Sequence, residues 1–305
     1  MRLVTYGASG AERAGILIEG GILDLSRAMQ AAGAANPTTD MRLFLEQERW
    51  RVTAEDLVRR STIEPIDSAR VRLGAPVPVP RKLIIAGANT HSHIEEAGPV
   101  LGKVAPPKEP MILAKATSSI AGPYDEIILP PETRKLDYEV ELGVVIGRRA
   151  RRVKESEVRD FVAGFVTINE LSARDVQLAE QEENPFFRVH FVGKSFDTFC
   201  PMGPALVTVD EFAWGRSLKM RTTVNGAVRQ SSDTSDLYFG IEQLVAYVSR
   251  AMTLFPGDII STGSPAGVAF FMRPPQFLQP GDRVRCEIEG VGAIENVVRA
   301  ETLAA

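Results

Sequence analysis

Two carboxylates one residue apart, Glu139 and Glu141 in Asp137-Tyr138-Glu139-Val140-Glu141-Leu142, stand directly ahead of the apolar run Val144-Val145-Ile146. A strand alternates its side chains, so Asp137, Glu139 and Glu141 are expected on one face, roughly 7 Å apart per pair, with Tyr138, Val140 and Leu142 entering the core. Like charges placed this way are either screened by water or held together by a cation. The second case needs a third oxygen ligand from elsewhere in the chain and open positions for a substrate. An amphipathic strand with a wet acidic face fits the same pattern.

The elements that must position these acids belong to a chain of 305 residues, long enough for two domains or one domain with an appendage. A net charge of -4 argues against a nucleic-acid surface, because phosphate binding draws on a surplus of Lys and Arg. The expected partner is a small molecule. Residues 1–7 form no basic-then-apolar leader and no apolar run is long enough to span a bilayer, which reads as a cytoplasmic protein with no membrane partner. Two cysteines, Cys200 and Cys286, lack metal or redox spacing and read as reduced structural thiols. Three histidines, His91, His93 and His190, are too few for a histidine-rich metal site.

Residues 1–75 read as a small N-terminal α+β unit: a strand over 2–6, a hairpin joining 14–18 to 22–25 through Gly20-Gly21, a helix from Asp40, and a second helix opened by Thr53 with Asp56 three residues on. The alternating prolines of 76–81 form a stiff connector. The larger unit, 80–305, is mostly strands, expected over 82–86, 111–114, 139–146, 165–169, 205–209, 218–224, 259–262 and 284–288. Helices over 155–162 and 236–252, the latter capped by Asp236, are expected to cover a sheet. Pro256-Gly257-Asp258 and Pro280-Gly281-Asp282 read as tight reversals, and Arg148-Arg149-Ala150-Arg151-Arg152 as a solvated turn.

Five segments in order carry a resemblance: 87–96 with His93 and Glu96, then Glu139-Val140-Glu141, then 169–177 (Asn169-Glu170-Leu171-Ser172-Ala173-Arg174-Asp175-Val176-Gln177), Gly193-Lys194-Ser195-Phe196-Asp197, and Ser261-Thr262-Gly263-Ser264-Pro265. The set resembles the fumarylacetoacetate hydrolase family over about residues 80–300. That resemblance implies an α+β, mainly β fold of layered, rolled mixed sheet, usually a homodimer, and a divalent cation held by Glu139, Glu141 and Glu170. Three hard oxygen donors suit Mg²⁺ or Mn²⁺, with Ca²⁺ also accommodated. Asp is usual where this chain has Glu170, and an aromatic residue is usual at Thr90.

The resemblance further implies that His93 and Glu96 form an acid–base pair on a lid, and that Lys194 faces the site to offset developing negative charge. It places Asn89, Arg174, Gln177, Thr234, Thr262 and Ser264 against the substrate. The implied chemistry is metal-dependent C–C bond hydrolysis of a 2,4-dioxo acid of the acylpyruvate or fumarylpyruvate type, releasing pyruvate and a carboxylic acid. Isomerisation, decarboxylation or dehydration of a related 2-oxo acid would use the same enolate, and a non-catalytic binder could share the scaffold. Phe186-Phe187 and Phe270-Phe271 suit an apolar substrate tail or core packing equally.

Overall fold

The computed structural model describes residues 1–101, 107–180, 184, 190–212 and 214–302. Among these, one large sheet runs in the order Gly21–Asp24, Arg13–Ile18, Arg2–Tyr6, Cys200–Thr208, Val162–Asn169, Val140–Ile146, Ile259–Ser261, Leu83–Gly87 and Met111–Lys115. The N-terminal hairpin extends the same sheet as the acidic strand, through antiparallel pairing of Arg2 and Leu3 with Val207 and Leu206. A second sheet orders Ala227–Asp233, Lys219–Val224, Arg283–Ile288, Gly292–Ala300 and Ile127–Leu129. This layered, mainly β architecture is the one the sequence predicts.

Alternation along the central strand decides what each face meets. Val140, Leu142, Val144 and Ile146 enter a core shared with Met220, Val284 and Ile294 of the second sheet. Val145 points the other way, into a core with Phe44, Trp50, Val166 and Ile168. Glu141 has the parity of Val145, and it pairs in register with Ile168. Glu170 follows Ile168 by two residues and so shares that face. Its N–H donates to the Glu139 carbonyl at 2.8 Å, which brings the acids of two strand ends together where the apolar face stops. Gly164 lies opposite the Val207 carbonyl, so close that no side chain could be built there.

Several expected elements differ. The helix expected to open at Thr53 spans Trp50–Arg60, because burial of Trp50 edge-on to Phe44 draws its start back a turn; Asp56 instead pairs with Arg59 and Arg60. The 155–162 helix is a 3₁₀ run, Glu155–Phe161, anchored by buried Val158. The later helix begins at Ile241 with Gly240 at its N-cap, not with Asp236. Strand Ala227–Asp233 escapes the apolar-run reading because five of its seven residues are polar, and Gly292–Ala300 because Glu295, Asn296 and Arg299 interrupt its apolar residues. Asp137 lies in a short separate strand, Leu136–Asp137, ahead of Val140–Ile146, and this break takes it off the face of the other acids.

Cys200 and Cys286 are unpaired and buried, and burial pushes both thiols up to about 12. Arg148, Arg149, Arg151 and Arg152 are exposed. Phe186-Phe187 lie outside the described residues. No helix among those residues is long and apolar enough to cross a membrane.

Candidate active site

Glu139, Glu141 and Glu170 are 5%, 2% and 0% exposed, and each offers a carboxylate oxygen within 4.8 Å of the others. The wet acidic face that the pattern also allowed is therefore replaced by a buried trio. Glu141 Oε2 accepts from Ser261 Oγ at 2.6 Å and from the Gly263 N–H at 2.8 Å, donors supplied by the adjacent strand Ile259–Ser261 and the turn after it. Glu139 Oε1 accepts from Arg174 Nη2 at 2.9 Å, and its Oε2 lies 3.2 Å from Lys194 Nζ. Glu170 is bracketed by two lysines: Oε1 accepts from Lys115 Nζ, which also donates to the Leu171 carbonyl at 2.8 Å, and Oε2 accepts from Lys194 Nζ.

The three acids are not electrically equivalent. Burial alone would raise Glu139, but Arg174 and Lys194 hold it well below the usual carboxylate range. Glu141 has no such cation against it; burial, then the charges of Glu170 and Glu139, push it up to about 8. Glu139 and Glu170 raise Lys194 despite its burial. A divalent cation among the three oxygens would favour the ionised form of Glu141, which burial and its acidic neighbours disfavour. An all-carboxylate donor set suits a hard ion of the Mg²⁺, Mn²⁺ or Ca²⁺ kind. The residues fit the ion, including Glu170 at the position where a shorter Asp is usual.

His93 and Glu96, the two residues read as an acid–base pair, lie together on the helix His91–Leu101. His93 Nδ1 lies 2.6 Å from Glu96 Oε1, and Nε2 faces the trio, 3.9 Å from Glu139 Oε1. Glu96 Oε2 accepts from the Gly267 N–H at 2.8 Å, and the Phe271 ring stands edge-on to the imidazole with centroids 5.7 Å apart. His91 is exposed and stacks edge-on to Tyr238 instead.

Arg174 and Gln177 join the site, linked by a 3.0 Å hydrogen bond from Arg174 Nη1 to Gln177 Oε1. Thr262 Oγ1 is buried with no hydrogen-bond partner among the described residues, as is Asn169 Nδ2. Ser264 Oγ accepts from Gln230 Nε2 at 2.8 Å. Asn89 and Thr90 anchor the loop before the helix His91–Leu101: Asn89 Nδ2 donates to the Thr262 carbonyl at 2.7 Å, and Thr90 Oγ1 to that of Ser264 at 2.7 Å. Thr234 is held elsewhere. Its hydroxyl accepts from the Leu218 N–H at 3.0 Å, and it lines a separate hollow with Trp214 and Glu242.

Asp137 is a structural acid, accepting from Arg174 Nε at 2.8 Å and from the Ala269 N–H at 2.7 Å. Sequence reasoning missed Lys115. It closes the apolar run 111–114, where a lysine reads as a solvated strand end, yet its side chain is fully buried.

Residues 82–299 match the family model "Fumarylacetoacetate (FAA) hydrolase C-terminal", and the chain belongs to that family. It is 42% identical over 302 residues to oxaloacetate tautomerase Fahd2a, mitochondrial, of Rattus norvegicus, covering 98% of this chain and 91% of the relative. Among solved structures, an HpcE protein of Mycobacterium smegmatis superposes with a TM-score of 0.85 at 33% identity, covering 99% and 100% of the two chains. Maleylpyruvate hydrolase of Sphingobium sp. SYK-6, in complex with manganese(II) and pyruvate, gives 0.76 at 30% identity over 99% and 100%. The family thus includes enzymes acting on oxo acids. One expectation is overturned: the rat, bovine and human relatives are mitochondrial proteins, and the cytoplasmic reading is withdrawn. A short stretch without a leader pattern does not determine a compartment.

Proposed function

We propose that this protein is a divalent-metal-dependent enzyme that interconverts the keto and enol forms of a 2-oxo diacid of the oxaloacetate type. The observation that carries the reading is His93, tied to Glu96 through Nδ1 at 2.6 Å while Nε2 looks onto the buried acids. The similarity to an oxaloacetate tautomerase supports the choice of reaction. Glu139, Glu141 and Glu170 would hold a divalent ion, which when bound would supply Lewis-acid polarisation of the 2-oxo group and so acidify the neighbouring C–H.

The side chains do the proton work. Glu96 accepts the Nδ1–H of His93 and fixes the tautomer whose Nε2 is basic. Nε2 takes the C3 proton, the C3–H electron pair becomes the C2–C3 double bond, and the imidazolium returns the proton to the 2-oxygen. Atoms and charge balance without water. Lys194 offsets negative charge as the enolate forms, and the Thr262 hydroxyl is available to the substrate carboxylate. Phe271 limits water around the imidazole. Gln177, Asn89 and Ser264 hold the walls. Thr234, on the Leu218 N–H in a separate hollow, takes no part in this reading.

The second reading is C–C hydrolysis of a 2,4-dioxo acid, in which His93 would activate a water instead. The similarity to a hydrolase that binds manganese and pyruvate favours it. The two separate on a panel of oxaloacetate and acetylpyruvate with Mg²⁺ or Mn²⁺. We expect accelerated ketonisation of enol-oxaloacetate without loss of mass, and little release of pyruvate from acetylpyruvate. Pyruvate and acetate from acetylpyruvate, with no effect on oxaloacetate, would reverse the assignment. A homodimer belongs to this proposal, and molar mass in solution measures it.

A further inference from the structure

Glu96 and His93 can act only if their helix is held against the trio, and the local cap at Thr90 is only part of that hold. It has no acidic residue in its first turn. Thr90 Oγ1 accepts from the His93 N–H at 3.2 Å, but the Ser92 N–H donates to Asp236 Oδ1 at 3.1 Å. Ser92 Oγ donates to Asp236 Oδ2, and Ser232 Oγ reaches the same oxygen at 3.2 Å. Ser92 Oγ also accepts from the Ala266 N–H at 3.0 Å, in the loop whose Gly267 binds Glu96. The contact is continued by backbone. Thr90 bridges to Leu237, and the Tyr238 N–H donates to the Asn89 carbonyl at 2.9 Å.

We propose that Asp236 is a positioning residue for the proposed reaction: a cap supplied from a distant turn, which fixes the start of the His93–Glu96 helix and, through Ser92, the 264–267 loop. This also accounts for the helix Ile241–Ala251 starting without Asp236. At the N-terminus of His91–Leu101 the Asp236 carboxylate satisfies an orphan N–H and meets the positive end of the dipole. Asp236 touches neither the acids nor His93, so its effect is on placement. Displacements near 1 Å cost about 10²-fold in rate where the base must meet a carbon acid.

The inference rests on the proposed function for its kinetic arm and is independent of it in its exchange arm. The experiment compares wild type, Asp236→Ala, Asp236→Asn and Ser92→Ala, each with Mn²⁺. Asp236→Ala is expected to raise amide exchange in residues 91–97 and to lower kcat on oxaloacetate about 10–100-fold, with Mn²⁺ affinity and KM within about threefold. Asp236→Asn, which keeps an oxygen for the Ser92 N–H, recovers most of the loss, and Ser92→Ala shares it. Unchanged exchange over 91–97 in Asp236→Ala overturns the proposal. So does a loss of Mn²⁺ affinity in step with activity, which would mark a general structural role. A wild type inert on oxaloacetate defeats the functional reading while the exchange comparison still decides this one. If Asp236→Ala does not fold, the Asn and Ser92 variants carry the same decision.

Discussion

His93→Gln lowers kcat by about 10²–10⁴-fold and leaves Mn²⁺ affinity within about threefold, the signature of a general base that binds no metal. Glutamine keeps a polar side chain of similar reach, so the helix and the Phe271 contact persist, but its amide cannot take a proton. Glu96→Gln is the companion. It retains an acceptor for Nδ1 yet replaces the charged partner that orients the imidazole, and is expected to cost less than His93→Gln. The check is steady-state kinetics beside Mn²⁺ titrations on the same preparations. Loss of metal binding in His93→Gln would place the imidazole among the ligands and contradict the geometry, in which Glu139 stands between Arg174, Lys194 and His93.

The second large effect lies at Lys115. Its fully buried ammonium sits between Glu170 Oε1 and the Leu171 carbonyl, so Lys115→Met leaves a buried carboxylate short of one partner, a change that costs about 3–5 kcal/mol. Lys194 on the other oxygen keeps Glu170 partly compensated. Added Mn²⁺ would supply positive charge to the same acid, so the variant should regain more melting temperature from the ion than wild type does. Thermal melts with and without Mn²⁺ read this directly. Equal increments in the two proteins would mean that Lys115 supports the strand rather than the charge balance of Glu170.

Local rules reached the acids because alternation and antiparallel pairing are written in sequence. Val140, Leu142 and Val144 mark one face, so Glu139 and Glu141 must lie on the other, and Glu170 falls two residues beyond Ile168 on the pairing strand. Ordered motifs then led to His93, Glu96, Lys194 and Arg174, which the structure brings around those acids.

What was not legible depends on contacts between distant segments. Nothing near Lys115 announces that Glu170, 55 residues away, will bury it. Asp236 carries a capping residue's chemistry, and sequence assigns it to the next helix; the fold gives it to one that begins 145 residues earlier. Asp137 obeys alternation on paper but is removed from the trio by the break after its two-residue strand, where the N–H groups of Ala269 and Phe270 capture it. Compartment is not a property of the packed domain at all.

The most direct measurement is an electron paramagnetic resonance titration of metal-free protein with Mn²⁺, repeated on Glu141→Ala and then with pyruvate added. One saturable site per chain, lost in the variant and spectrally altered by pyruvate in wild type, is the predicted result. Equal binding by both proteins, or a spectrum indifferent to pyruvate, would contradict a carboxylate-held ion that receives a 2-oxo acid.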